Sequence, residues 1–130
     1  MTVTEHQYQF MSIQLMEEQG GKLLDVRVSG KLSKEDYAEF IPELDRLVIR
    51  HGKVRILMEM DDFHGWNAGA AWEELKADVK HYSDVERVAM VGDKKWQEDL
   101  VRLASHFTGA EVRYFDRAEL MQARAWVEGG

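Results

Sequence analysis

Cysteine is absent from the chain, which excludes disulfides, thiolate zinc sites and thiol nucleophiles together and fits a reducing compartment. Proline occurs once, and with 45% hydrophobic residues this composition excludes disorder and Pro-rich or fibrous repeats. No stretch approaches the roughly 18 apolar residues that a spanning helix needs. The first ten residues carry no basic-then-apolar leader, so the expected localisation is cytoplasmic and the chain is not expected to be transmembrane. Basic residues are in deficit: 17 Lys and Arg against 24 Asp and Glu give a formal charge of −7. Phosphate backbones and anionic bilayers would be repelled on average, and nucleic acid is not an expected partner. What remains, 130 residues without internal repeats or linkers, suits a single domain over 1–130 with one hydrophobic core.

Hydrophobic periodicity supplies the elements. Met11, Ile13 and Leu15 alternate with Ser12 and Gln14, then Leu24, Val26 and Val28 alternate with Asp25 and Arg27 across the glycine turn Gln19-Gly20-Gly21. That pattern predicts an antiparallel hairpin over about 10–29. Ser33 and Asp36 suit a helix start, and Tyr37, Phe40, Ile41, Leu44, Leu47 and Val48 follow at helical spacing. Pro42 falls within this run, and its ring would clash with the carbonyl of Ala38, so a break into two segments at Pro42 is expected. A third strand is predicted over 53–60, where Val54, Ile56, Met58 and Met60 alternate with Arg55, Leu57 and Glu59.

Beyond it the chain repeats a strand-helix rhythm. A helix over 68–81 carries Trp72, Leu75 and Val79. A strand over 87–91 leads to a helix capped by Asp93 whose expected buried stripe is Trp96, Leu100, Leu103, Ala104 and Phe107. A strand over 111–115 is followed by the capping-box spacing of Asp116 and Glu119 and by a last helix burying Leu120, Met121, Ala125 and Trp126 or a near variant. The order β-β-α-β-α-β-α-β-α implies an α/β fold with a mixed five-stranded sheet, N-terminal hairpin first and β-α units after it. Charged residues at alternating strand positions (Asp25, Arg27, Arg55, Glu59, Glu111, Arg113) keep one sheet face polar. Helices are therefore expected mainly on one face, the other being left to water, an oligomer partner or, in part, a terminal segment.

The densest run of candidate functional residues leaves the third strand: Asp61, Asp62, Phe63, His64, Trp66 and Asn67. In open α/β sheets ligands bind at this end of the strands. Asp61, Asp62 and His64 have the chemistry of metal ligands, but neither His-Glu-x-x-His nor an Asp-x-Asp-x-Asp-Gly loop is present, and their simpler reading is solvated turn and cap residues. No metal or other cofactor is expected. Gly-x-Ser-x-Gly and phosphate-binding glycine loops are missing, and His6, His51, His64, His81 and His106 are scattered, so no catalytic residue is assigned and no enzymatic activity is expected. Trp72 shares its stripe with Leu75 and Val79 and reads as core. Phe63 and Trp66 precede that helix and suit either a binding pocket or a hydrophobic staple.

The runs 53–66, 86–96 and 112–116, with Met58-Glu59-Met60-Asp61-Asp62-Phe63-His64-Gly65-Trp66 at their centre, resemble the SpoIIAA-like family of small bacterial proteins over essentially the whole chain. The resemblance implies a fold similar to STAS domains and CRAL-TRIO lipid-binding domains. STAS-type anti-sigma-factor antagonists switch by phosphorylation of a Ser or Thr after the third strand. Here 61–82 contains neither, and Ala68 stands at the aligned position, so the phosphoswitch is not carried over. What the resemblance implies is a non-enzymatic module that binds a protein partner or a small ligand near the loop after the third strand. A carrier of a lipid or other apolar small molecule is the alternative, suggested by Phe63, Trp66 and seven Met residues.

An open sheet face and the hairpin's outer edge favour pairing, and the expected assembly is a homodimer. Sedimentation at micromolar concentration should show a species of twice the chain mass, and a single species near 15.1 kDa would refute the dimer.

Overall fold

A computed structural model of the chain describes residues 7–9, 13–32, 34–66, 85–105 and 110–129. Six strands, β1 (Gln7–Gln9), β2 (Ile13–Glu18), β3 (Leu23–Leu32), β4 (Val54–Trp66), β5 (Val85–Gly92) and β6 (Glu111–Asp116), lie side by side in sequence order. β1, β2 and β3 pair antiparallel, whereas β3, β4, β5 and β6 pair parallel. The expected mixed five-stranded sheet is therefore present as β2 to β6. β1 adds a short sixth strand along β2, with Gln7 opposite Met16 and Gln9 opposite Gln14, and so covers part of the hairpin edge expected to be open. The hairpin reverses through a 3-10 turn at Gln19–Gly21, where Gly20 and Gly21 take φ of 70° and 93°. Any side chain at Gly21 would collide with the His51 imidazole, so the glycine also lets the end of the following helix close on the turn.

The described helices are α1 (Lys34–His51), α2 (Lys95–Ala104) and α3 (Leu120–Val127). The helix expected over 68–81, with Trp72, lies outside the described residues, as do Ser33, His6, His81 and His106. Strand alternation divides the sheet into two faces. Leu24, Val26, Val28, Val54, Ile56 and Met60 form the main core with Phe40, Leu44, Leu47 and Val48 of α1 and Val101 of α2. Leu23, Leu57, Ala89, Val91 and Phe115 form a second, smaller core on the opposite face, closed by Ala123 and Val127 of α3. Two of the three described helices thus share one face. The terminal helix covers part of the other, and beside it lie the charged Asp25, Arg27 and Glu59, of which only Arg27 is exposed. Among the described residues no helix is long and apolar enough to cross a membrane.

Three local expectations are corrected. α1 runs unbroken through Pro42, because Phe40 before it and Leu44, Leu47 and Val48 after it are buried in one core while Pro42 itself is exposed. Packing on both sides outweighs the lost N–H and the ring's clash, a penalty of roughly 3 kcal/mol. The buried side of α2 is Gln97 and Val101; Trp96 and Leu103, expected in the core, are 39% and 47% exposed. The helix is rotated by its own cap: the Gln97 amide turns inward, its Oε1 accepting from the N–H groups of Asp93 at 3.0 Å and Lys94 at 3.3 Å. Gln97, not Asp93, supplies this capping. On α3 the buried residues are Ala123 and Val127, with Leu120 and Trp126 partly buried, while Met121 and Ala125 face solvent. Small Ala123 lets the helix approach the sheet, and Arg87 Nη1 donates to the Trp126 carbonyl at 2.7 Å while its guanidinium lies 5.2 Å from the indole centroid.

Replacing Pro42 with Ala should stabilise the domain by about 2 kcal/mol, the roughly 3 kcal/mol helix penalty less about 1 kcal/mol from a more flexible unfolded chain. A urea midpoint that rises with unchanged slope is the expected reading; an unchanged or lower midpoint would show that Pro42 is accommodated without cost.

Candidate functional site

The third predicted strand ends in the sequence at Met60, where its alternation stops, but β4 continues to Trp66. Its pairing with β3 explains why the pattern breaks. Val28 stands opposite Met60, Gly30 opposite Phe63, and Lys31 opposite Gly65, so β4 holds two more residues than the matching stretch of β3. These are bulges, and Asp62, at φ 51°, takes the left-handed conformation that Asp tolerates better than most side chains. Across the bulge the parity of the strand inverts. Met60 and Phe63, three residues apart, both enter the main core.

The bulge sorts the candidate residues. Phe63 is 2% exposed, its ring 5.8 Å from that of Trp96, and its carbonyl accepts from Gln97 Nε2 at 3.4 Å. Asp61 and Asp62 are thrown outward, their side chains 74% and 80% exposed. His64 Nε2 lies 3.2 Å from Asp62 Oδ1, both at the surface, where such a pair contributes at most about 1 kcal/mol. Trp66 ends the strand opposite Leu32, and Asn67 lies outside the described residues. The run expected to form a loop is therefore a distorted strand end that presents carboxylates and an imidazole while anchoring through Phe63.

Arg117, which the sequence pattern showed only as part of a capping box, completes this edge. The box itself is as expected: Asp116 Oδ1 accepts from Ala118 N at 3.1 Å, and Asp116 N donates to Glu119 Oε1 at 3.0 Å. That capped 3-10 turn after β6 aims the Arg117 guanidinium across the strand ends. Its Nη2 donates to the Met60 carbonyl at 2.5 Å, next to the bulge, and lies 3.7 Å from Asp61 Oδ1, while Nε lies 3.9 Å from Asp93 Oδ2. One cation thus ties the ends of β4, β5 and β6. Asp93, expected as a helix cap, instead directs its carboxylate at Arg117. No sequence motif links residues 61, 93 and 117; only the parallel topology, which stacks the three strand ends, could have pointed to them.

The resulting edge holds Asp61, Asp62, His64, Asp93 and Arg117 in water, a set able to recognise polar or charged groups. Among the described residues no group of three or more His, Asp or Glu is close enough together to hold a metal ion.

Comparison with known proteins agrees with this architecture. Residues 23–128 match the family model described as SpoIIAA-like. The chain is similar to a crystal structure of an uncharacterised protein of the DUF3478 family with a SpoIIAA-like fold from Shewanella loihica, at 30% identity and a TM-score of 0.70, with 89% of this chain and 92% of that one covered. No curated protein matches.

Because Phe63 is buried between the bulge and α2, Phe63→Ala should cost about 3–5 kcal/mol of folding stability, as large-to-small core substitutions do. A denaturant midpoint within about 1 kcal/mol of the parent would instead make Phe63 a surface-directed anchor.

Proposed function

The chain belongs to the SpoIIAA-like family, and on that premise we propose that it is a non-enzymatic binding module that recognises a protein partner or small ligand at the C-terminal edge of its parallel strands. The observation that carries this reading is the joining of Asp61, Asp93 and Arg117, from three separate strand ends, beside the exposed Asp62 and His64. This is where open α/β sheets bind, and the side chains here are ones that folding alone does not need exposed. The candidate surface is Asp61, Asp62 and His64, with Phe63 acting from beneath as its anchor, and we assign to it Trp66 and Asn67, which follow in the sequence. The family resemblance to STAS domains suggests a partner-docking role. With no Ser or Thr over 61–82, recognition here depends on fixed carboxylates rather than on an added phosphate.

A carrier of an apolar small molecule is the second reading. It is favoured by one feature of the same edge: Trp96 is 39% exposed while its ring leans on buried Phe63, so an aromatic surface adjoins the polar cluster.

Native mass spectrometry of gently purified protein and a pull-down with the whole chain separate the two: an added small-molecule mass supports the carrier, a stoichiometric protein the docking module. In either case Trp66→Ala should weaken the interaction by about 2 kcal/mol or more while leaving the denaturant midpoint nearly unchanged. A Trp66→Ala protein that unfolds at markedly lower denaturant yet keeps its interaction would return the segment to scaffolding.

A further inference from the structure

The sheet face not covered by α1 and α2 holds a group of charges that the proposed binding edge does not use. Asp25, on β3, is 4% exposed, although its neighbours on the strand's other face are already core. Its Oδ2 lies 3.4 Å from Arg124 Nη2 of α3 and 3.9 Å from Arg27 Nη2 of its own strand. Its Oδ1, also buried, has no hydrogen-bond donor among the described residues. From β4 the Glu59 carboxyl comes within hydrogen-bonding reach of Asp25, and Glu59 Oε2 lies 3.3 Å from Arg27 Nε. From β2, Glu18 takes most of Arg124, with contacts of 2.9 Å and 3.2 Å to Nη2 and 3.3 Å to Nη1. Glu128, at the solvent end of α3, lies 3.5 Å from Arg124 Nη1.

Four carboxylates, Glu18, Asp25, Glu59 and Glu128, face two guanidiniums, Arg27 and Arg124, so negative charge is in excess around the buried Asp25. Two carboxylates within hydrogen-bonding reach cannot bond to each other without a proton, and a buried acceptor without a donor is costly. A single proton resolves both. We propose that Asp25 and Glu59 share one proton in the folded protein, forming a buried one-proton site beside α3 that links the stability of the fold to pH. The shared proton supplies the missing donor, reduces the excess of negative charge and leaves Arg124 free to clamp α3 to β2 through Glu18.

The titration of Asp25 accords with this geometry. Burial, then the Glu59 charge and hydrogen bond, raise it from an ordinary 3.8 to about 7, with Arg27 opposing and Glu18 adding to the rise. A carboxyl whose folded value lies above its unfolded value keeps a proton that the unfolded chain releases. Its contribution is thus fully present below about pH 4 and is lost as pH rises toward about 7, with no further loss from this group beyond it.

The direct test is a 13C NMR titration of the carboxyl carbons in the full chain. Carboxyl carbons are read because they report one acid at a time, whereas the denaturant midpoint sums over every titrating group in the chain. The expected result is a step near neutral pH at Asp25 Cγ, and in Glu59→Gln a downward shift of that step by on the order of one pH unit or more. Asp25→Asn should flatten the fall of the urea midpoint between about pH 4 and about pH 7. Should Asp25→Asn fail to fold, the parent and Glu59→Gln titrations decide. Asp25 completing its titration below about pH 5, or an Asp25 step unmoved in Glu59→Gln, would overturn the shared proton.

Discussion

β4 is paired in parallel on both edges and packed on both faces, and the remaining elements are arranged around that constraint. A strand so placed must keep its ladder with β3 and β5 while sending Val54, Ile56 and Met60 into the α1 core and Leu57 into the α3 core. Its apolar residues on both faces hold the two layers to one sheet. Beyond Met60, β4 leaves β5 but stays with β3, and there the bulges admit extra residues without ending the strand. The same distortion that keeps Phe63 in the core exposes Asp61 and Asp62. The candidate site is therefore a consequence of how the central strand ends, and the Arg117 hydrogen bond to the Met60 carbonyl fastens that end to β6.

Periodicity in the sequence carried most of this fold, because alternation along β2, β3, β4, β5 and β6 is a local property that each strand displays by itself. The charged positions Asp25, Arg27 and Glu59 also gave the layering, since a face with those residues cannot be wholly covered by apolar helices. Three things were not legible. The end of β4 was hidden because a bulge inverts parity, which a period-two reading interprets as the end of a strand. The rotation of α2 was missed because Gln97 is held inward by hydrogen bonds to Asp93, Lys94 and Phe63, contacts that outrank a stripe of larger apolar side chains at its surface. The continuity of α1 across Pro42 depends on burial before and after the proline, which its ring geometry alone does not reveal.

The candidate site divides along the same line between local and long-range information. Asp61, Asp62 and His64 were visible because polar residues directly following an apolar strand mark its exit from the core. Arg117 and Asp93 were not, since they join Asp61 only through the side-by-side order of β4, β5 and β6. Gln97 shows how closely scaffold and site are connected: one amide caps α2 and holds the Phe63 carbonyl, so the entry to α2 and the bulged end of β4 are fixed together.

The two faces of the sheet solve different physical problems. The main core, with α1 and α2 over it, is apolar, and shape complementarity suffices there. On the other face, α3 is only eight residues long, buries small Ala123 and Val127 beside half-buried Trp126, and closes a core too small to hold it by apolar area alone. Charge supplies the remainder: Arg87 and Arg55 donate to carbonyls at its C-terminal end, where the helix dipole is negative, and Arg124 reaches Glu18. Such bonds are directional, so they fix the orientation of α3 more narrowly than a small apolar contact could. The cost is that carboxylates must be brought close together on β2, β3 and β4 to receive those cations, and a buried excess of negative charge beside α3 follows from that requirement.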